Sequence, residues 1–190
     1  MAARPPIVIV PYDPQWPDEF EALASVLREA LGDLALRIDH IGSTSVPGLP
    51  AKDVIDIQVT VRNVDDPALE TALAGIGYWD FSVREDHVPP GGSDDPQDWL
   101  KRLPETPPGQ RRTHLHIREE GRANQRYPIL FRDYLRAHPE AAEAYARIKK
   151  ALARLHPHDM DAYYDVKDPV CDLIIQAAEA WERSGQRPTG

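Results

Sequence analysis

The sequence predicts an α+β domain in which a mixed β-sheet is packed by helices, three of them at the C-terminal end. Three observations predict it. Segments 54–61 (VIDIQVTV) and 112–118 (RTHLHIR) alternate apolar and polar residues with the period of two that places successive side chains on opposite faces of a strand. Other segments carry apolar residues at helical spacing behind Asp-Pro or Pro starts. The order along the chain reads helix, strand, strand, helix, strand, strand, then three helices.

The first helix is expected from Asp13-Pro14 to about Leu31. Phe20, Leu23, Leu27 and Leu31 form its buried stripe, and Gly32 ends it. Strands follow at 36–41 and 54–61. Asp66-Pro67 opens the second helix, which carries Leu69 and Leu73 and stops near Gly75 or Gly77. A third strand is expected at 78–84. Residues 86–111 form one long irregular stretch, read as mobile in preference to a lid, with Trp99 and Leu100 as possible anchors. After the strand at 112–118, helices are expected to start at Pro128 and Pro139, the latter burying Tyr145, Ile148, Leu152 and Leu155. Asp168-Pro169 opens the last helix, with Leu173, Ile174, Ala177, Ala178 and Trp181 inward. The chain reads as one domain over 1–183, with a frayed tail at 184–190.

Composition bounds the function. At 190 residues the chain is long enough for a real core, and 42% hydrophobic with 28% charged residues describes a soluble globular protein. No apolar run reaches the roughly 20 residues of a membrane span. MAARPPIVIVPYD lacks a secretory apolar region, and the single Cys171 permits no internal disulfide, so a cytoplasmic location is expected. Cys171 lies in an apolar helical stretch and reads as an inert core thiol. A net charge of −9 argues against nucleic acid as a partner. Residues 101–136 nevertheless hold nine Lys or Arg against four acids. That excess is either a solvated helix face or a patch for a phosphate-bearing ligand.

Candidate site residues follow from the alternation. Asp56, Gln58 and Thr60 share one face of their strand, and Arg112, His114, His116 and Arg118 share one face of theirs. If the strands are neighbours, Asp56 and the HxH pair can bind one cation, and His40 is a further candidate unless it is a satisfied core histidine. Gly42-Ser43-Thr44-Ser45 follows a strand and offers amides and hydroxyls to phosphate. Lys52, Arg84, Arg112 and Arg118 are candidates to balance phosphate charge. A histidine such as His116 can also act as general base, since imidazole titrates near neutrality.

These residues resemble the GrpB family, a bacterial group with the fold of the polymerase-β-type nucleotidyltransferases. The matching segments are HIGSTSVPGLPAKDVIDI at 40–57, HLHI at 114–117, FRDYLRAHPEAAEAYARIKKAL at 131–152 and YYDVKDPVCDLI at 163–174. The resemblance implies a nucleotidyltransferase-like sheet, a divalent cation (magnesium or a transition metal) and a nucleoside triphosphate, with nucleotidyl transfer to a small acceptor as the expected activity. Gly42-Ser43 match the superfamily's turn and Asp56 its first carboxylate, with Asp56 and His116 in the catalytic place. Gln58 stands where the second carboxylate is expected, and His114 and His116 stand where a third strand carries an acid. Two rival readings follow: an accessory binding module, as in domains attached to dephospho-CoA kinases, with a protein partner or self-association; or a metal-dependent enzyme of another class.

Overall fold

The computed structural model describes residues 5–186. Five strands form one mixed sheet: β1 Arg37–Ile41, β2 Ile55–Val61, β3 Val83–Glu85, β4 Leu100–Arg102 and β5 Thr113–Glu119. Their spatial order is β1-β2-β5-β4-β3. Only the central β2–β5 pair is parallel. The helices are α1 Trp16–Leu31, α2 Pro67–Ala74, α3 Ala123–Ala137, α4 Pro139–Leu155 and α5 Met160–Arg183. The α+β class with a mixed sheet and three C-terminal helices is therefore what the chain adopts. No helix among the described residues is long and apolar enough to cross a membrane.

The apolar face of the sheet lies against α1 and α2. Ile55, Ile57, Val59 and Val61 pack there with Leu115 and Ile117 of β5, Phe20, Leu27 and Leu31 of α1, and Leu69 and Leu73 of α2. Each such side chain contributes roughly 2 kcal/mol by leaving water. The opposite face is polar yet also covered. Gln58 and Thr60 are fully buried, because Gln58 donates to the Gln125 carbonyl of α3 and Gln125 donates to Thr60 Oγ1. Two further clusters knit α3, α4 and α5 together, around Leu135, Tyr145 and Cys171 and around Leu130, Ile175 and Trp181.

Several expected boundaries move. Asp66 does cap α2, accepting from the Ala68 amide. Asp13-Pro14 instead makes a turn, and α1 begins at Trp16. Pro128 and Pro169 lie inside helices that start earlier, α3 at Ala123 and α5 behind Asp159, which caps the Ala162 amide. Leu155 and Leu173, expected inward, are exposed, and Ala177 is exposed as well; Cys171 and Ile175 take the inner face of α5. The strand expected at 78–84 is reduced to β3 because Asp80 adopts φ 53°, a left-handed conformation that interrupts pairing. Trp79 forms only an isolated bridge with Glu105.

Residues 86–111 are structured. They hold a short 3-10 turn at Pro96–Trp99, with Trp99 buried and donating to the Ser93 carbonyl, followed by β4. Arg102 of β4 donates to the carbonyls of Val64 and Phe81 and to Asp65. Of the tail expected to fray from Ser184, residues 187–190 lie outside the described residues; the Ser184 hydroxyl donates to the Trp181 carbonyl.

Candidate functional site

The β2–β5 register decides the site. Asp56 pairs with His114, Gln58 with His116 and Thr60 with Arg118, so the two polar rows stand side by side. His114 Nδ1 lies 2.9 Å from Asp56 Oδ1, and His116 Nε2 lies 3.9 Å from the same oxygen. The ligating atoms of Asp56, His114 and His116 all fall within 4.8 Å of one another. Burial disfavours the Asp56 charge, but the hydrogen bond to His114 and the nearby His116 imidazole outweigh it and hold the carboxyl well below the usual carboxylate range. Burial and the Arg118 guanidinium push His116 down to about 4, so it is neutral at neutral pH.

The chain leaves β1 directly into this group. Gly42 takes φ 70°, ψ −173°, and a Cβ built there would sit 2.2 Å from Asp56 Oδ2. Only glycine lets the backbone lie this close to the carboxylate. The 3-10 turn Ser43–Ser45 follows. Ser43 and Thr44 line the cavity, although Thr44 Oγ1 is engaged with His40 Nε2 at 3.0 Å. Ser45 turns inward, its hydroxyl donating to the Gly42 carbonyl.

His40 is a core histidine. It pairs with Ile57 on the apolar side, stacks on Phe20 at 4.7 Å, and burial lowers its pKa to about 4. Lys52 reaches the cavity wall and donates to the Tyr164 hydroxyl. Arg84 sits on the exposed edge strand, 3.5 Å from Asp80, and Arg112 is exposed just before β5; neither lines the cavity.

Arg118 is buried, and its partners explain Gln58. Its Nη1 donates to Gln58 Oε1, while Nε and Nη2 take both oxygens of Asp86. Lys101 and Asn124 also donate to Asp86. Gln58, set by the resemblance where a second carboxylate is expected, is thus an acceptor for a buried arginine. Burial alone would raise the Asp86 carboxyl, but Arg118 and Lys101 hold it at about 2.

Because that folded value lies below the ordinary 3.8, the ion cluster stabilises the fold fully above about pH 4 and loses this contribution as pH falls toward 2. The amount is about 2 kcal/mol. Asp86→Ala should cost more, about 3–5 kcal/mol in urea denaturation at pH 7, since it strands the buried Arg118 and the half-buried Lys101. A loss below 1 kcal/mol would show that the cluster does not hold the segment.

Apart from the exposed Arg112, the basic excess at 101–136 is likewise absorbed within the fold. Arg111 pairs with Glu19 and Asp53, Arg122 with Glu119, Arg126 with Glu179 and Glu182, and Arg136 donates to the Ser45 carbonyl. From this stretch Lys101 and Arg118 reach the cavity as cations, and both are tied to Asp86.

The cavity has a volume of about 580 Å³ and is lined by the Gly42–Thr44 turn, Asp56 and both imidazoles among others. Helices α4 and α5 supply residues that sequence reasoning missed. Lys149 donates to Ser43 Oγ at 2.8 Å and to the Pro50 carbonyl at 2.7 Å. Lys167 lies 5.2 Å from the Tyr164 ring centre, and Lys52 lies 5.1 Å from it. One signal was available for Lys149: it falls four residues after Tyr145 and three before Leu152, on the helix's buried stripe.

Donor spacing fits one cation. Bonds of about 2.1 Å at a right angle separate two donors by about 3 Å, which matches Asp56 and His114. His116 Nδ1 lies 3.3 Å from Arg118 Nη2, which can only donate. The neutral ring therefore carries its proton on Nε2, and ligation through that nitrogen would require the proton to move to Nδ1 and the Arg118 contact to break. The donor set has one carboxylate beside two imidazoles, fewer acids than a pair of magnesium ions needs.

A family model described as GrpB protein matches residues 6–177. The chain belongs to the GrpB family. A crystal structure of GrpB from Enterococcus faecalis superposes with a TM-score of 0.73 at 31% identity, covering 92% of this chain and 99% of that one. The UPF0157 protein BH1888 of Halalkalibacterium halodurans is 33% identical over 92% of this chain and 83% of its own length. A dephospho-CoA kinase of Mycolicibacterium paratuberculosis is 38% identical over 98% of this chain but 49% of its own. The chain thus spans about half the length of the curated kinases it matches.

Proposed function

We propose that this GrpB chain binds a nucleoside triphosphate, or a related phosphate-bearing ligand, together with one divalent cation, and transfers a nucleotidyl group from it to a small acceptor in the cytoplasm. One observation carries the reading: a backbone turn, a carboxylate and two imidazoles converge on a single cavity that also holds lysines. Asp56, His114 and His116 would hold the cation, which when bound neutralises phosphate charge and polarises the phosphoryl group. The nitrogen donors favour manganese, zinc or iron over magnesium. The Gly42–Thr44 turn contributes amides toward phosphate oxygens, and Lys52 and Lys167, which also line the cavity, contribute charge. Arg118 serves the reading differently from its place in the sequence pattern, because it orients His116 and Gln58 instead of meeting phosphate.

Calorimetric titration with a nucleoside triphosphate, with and without manganese, tests this. Affinity that rises with the ion supports the reading, and absence of affinity in both conditions contradicts it.

A second reading has its own observation. Gln58 is buried against Arg118 and Gln125, so the carboxylate pair used in two-metal transfer is missing. With half-length matches to dephospho-CoA kinases, this supports a non-catalytic module that keeps the pocket, with a kinase as its partner. Ligand affinity without any product on incubation with candidate acceptors would favour it.

A further inference from the structure

Ser43 and Lys149 form a chemical unit that the cation site leaves unused. Lys149 is 2% exposed, its Nζ lies 4.7 Å from the Tyr145 ring centre, and no carboxylate among the described residues pairs with it. A buried ammonium without a counter-ion is costly, and burial together with the charges of Lys167 and Lys52 lowers its pKa to about 7. The neutral amine fits its surroundings. Its N–H donates to the Pro50 carbonyl, and its lone pair can accept the Ser43 hydroxyl proton across the same 2.8 Å. A serine facing a cavity, paired with a desolvated lysine, is the arrangement of an activated hydroxyl nucleophile. Lys52 and Lys167, which line the same cavity, favour a phosphoryl over an acyl electrophile.

We propose that Ser43 is a phosphoacceptor, deprotonated by Lys149, that takes the terminal phosphoryl group of a nucleoside triphosphate bound in the cavity. This rests on the triphosphate reading above. In the step, Ser43 Oγ forms a bond to the terminal phosphorus and the bond to the bridging oxygen breaks. The nucleoside diphosphate leaves with that electron pair, and the hydroxyl proton passes to Lys149 Nζ. The product places a phosphoserine in the turn, where it occupies the phosphate position and shuts out a second nucleotide.

The test is intact-mass analysis of the full chain after incubation with ATP and manganese, peptide mapping, and calorimetry on the same samples. The expected result is a gain of one phosphoryl group on Ser43, absent in Ser43→Ala and slowed about 100-fold in Lys149→Met. ATP affinity without mass gain overturns the inference and leaves the cavity reading standing. Absence of affinity overturns both. A phosphoryl group on another residue also overturns it, and Ser43→Ala, which removes only a hydroxyl, decides the matter if Lys149→Met does not fold.

Discussion

Replacing Gly42 by alanine is expected to abolish divalent-ion binding and to destabilise the fold measurably. The backbone at φ 70°, ψ −173° lies in a region essentially reserved for glycine, and holding another residue there costs about 1–3 kcal/mol. The larger effect is geometric. The new methyl would meet Asp56 Oδ2 at 2.2 Å, so either the turn lifts away or the carboxylate rotates off His114. Both responses dismantle the site, because one edge of the turn and the ligand set are the same contact. Chemical denaturation gives the stability loss, and manganese titration gives the loss of binding. A folded Gly42→Ala protein with normal ion affinity would show that the turn and Asp56 are independent.

Asp56→Ala is expected to weaken ion binding by on the order of 100-fold or more while the chain still folds. Changing groups behind metal ligands already costs about 10–100-fold, and Asp56 is the one carboxylate of the set. Survival of the fold follows from its position: Asp56 faces the cavity, whereas Ile55 and Ile57 beside it are fully buried in the core. The variant should also lose part of its acid sensitivity. The folded Asp56 carboxyl lies below its ordinary 3.8, so wild type draws stability from it above that pH and loses it as pH falls. Unaltered manganese affinity in Asp56→Ala would remove this residue from the site.

The site was legible in the sequence because strand geometry is local. Period-two alternation at 54–61 and 112–118 put Asp56, His114 and His116 on polar faces, and the parallel register then brought them into contact. Alternation assigned Arg118 to the right face but could not reveal its partner. Asp86 reaches it from a segment without periodicity, 32 residues away. The same blindness made 86–111 look mobile, when ion pairs and the buried Trp99 fix it. Proline proved ambiguous for a related reason. Asp66-Pro67 starts a helix because the Asp66 side chain caps an amide, while the Asp168 side chain pairs with Lys167 and the helix runs through Pro169. The cationic wall from α4 and α5 depends on how three helices fold back over the sheet, which no local pattern encodes.

The most direct test of the central claim is the metal content of the purified chain and its Asp56→Asn variant, each dialysed against manganese or zinc. One tightly held ion per wild-type chain, absent from the variant, is the result expected for a carboxylate and two imidazoles sharing a cation. Equal content in the two proteins, or no ion in either, would contradict it.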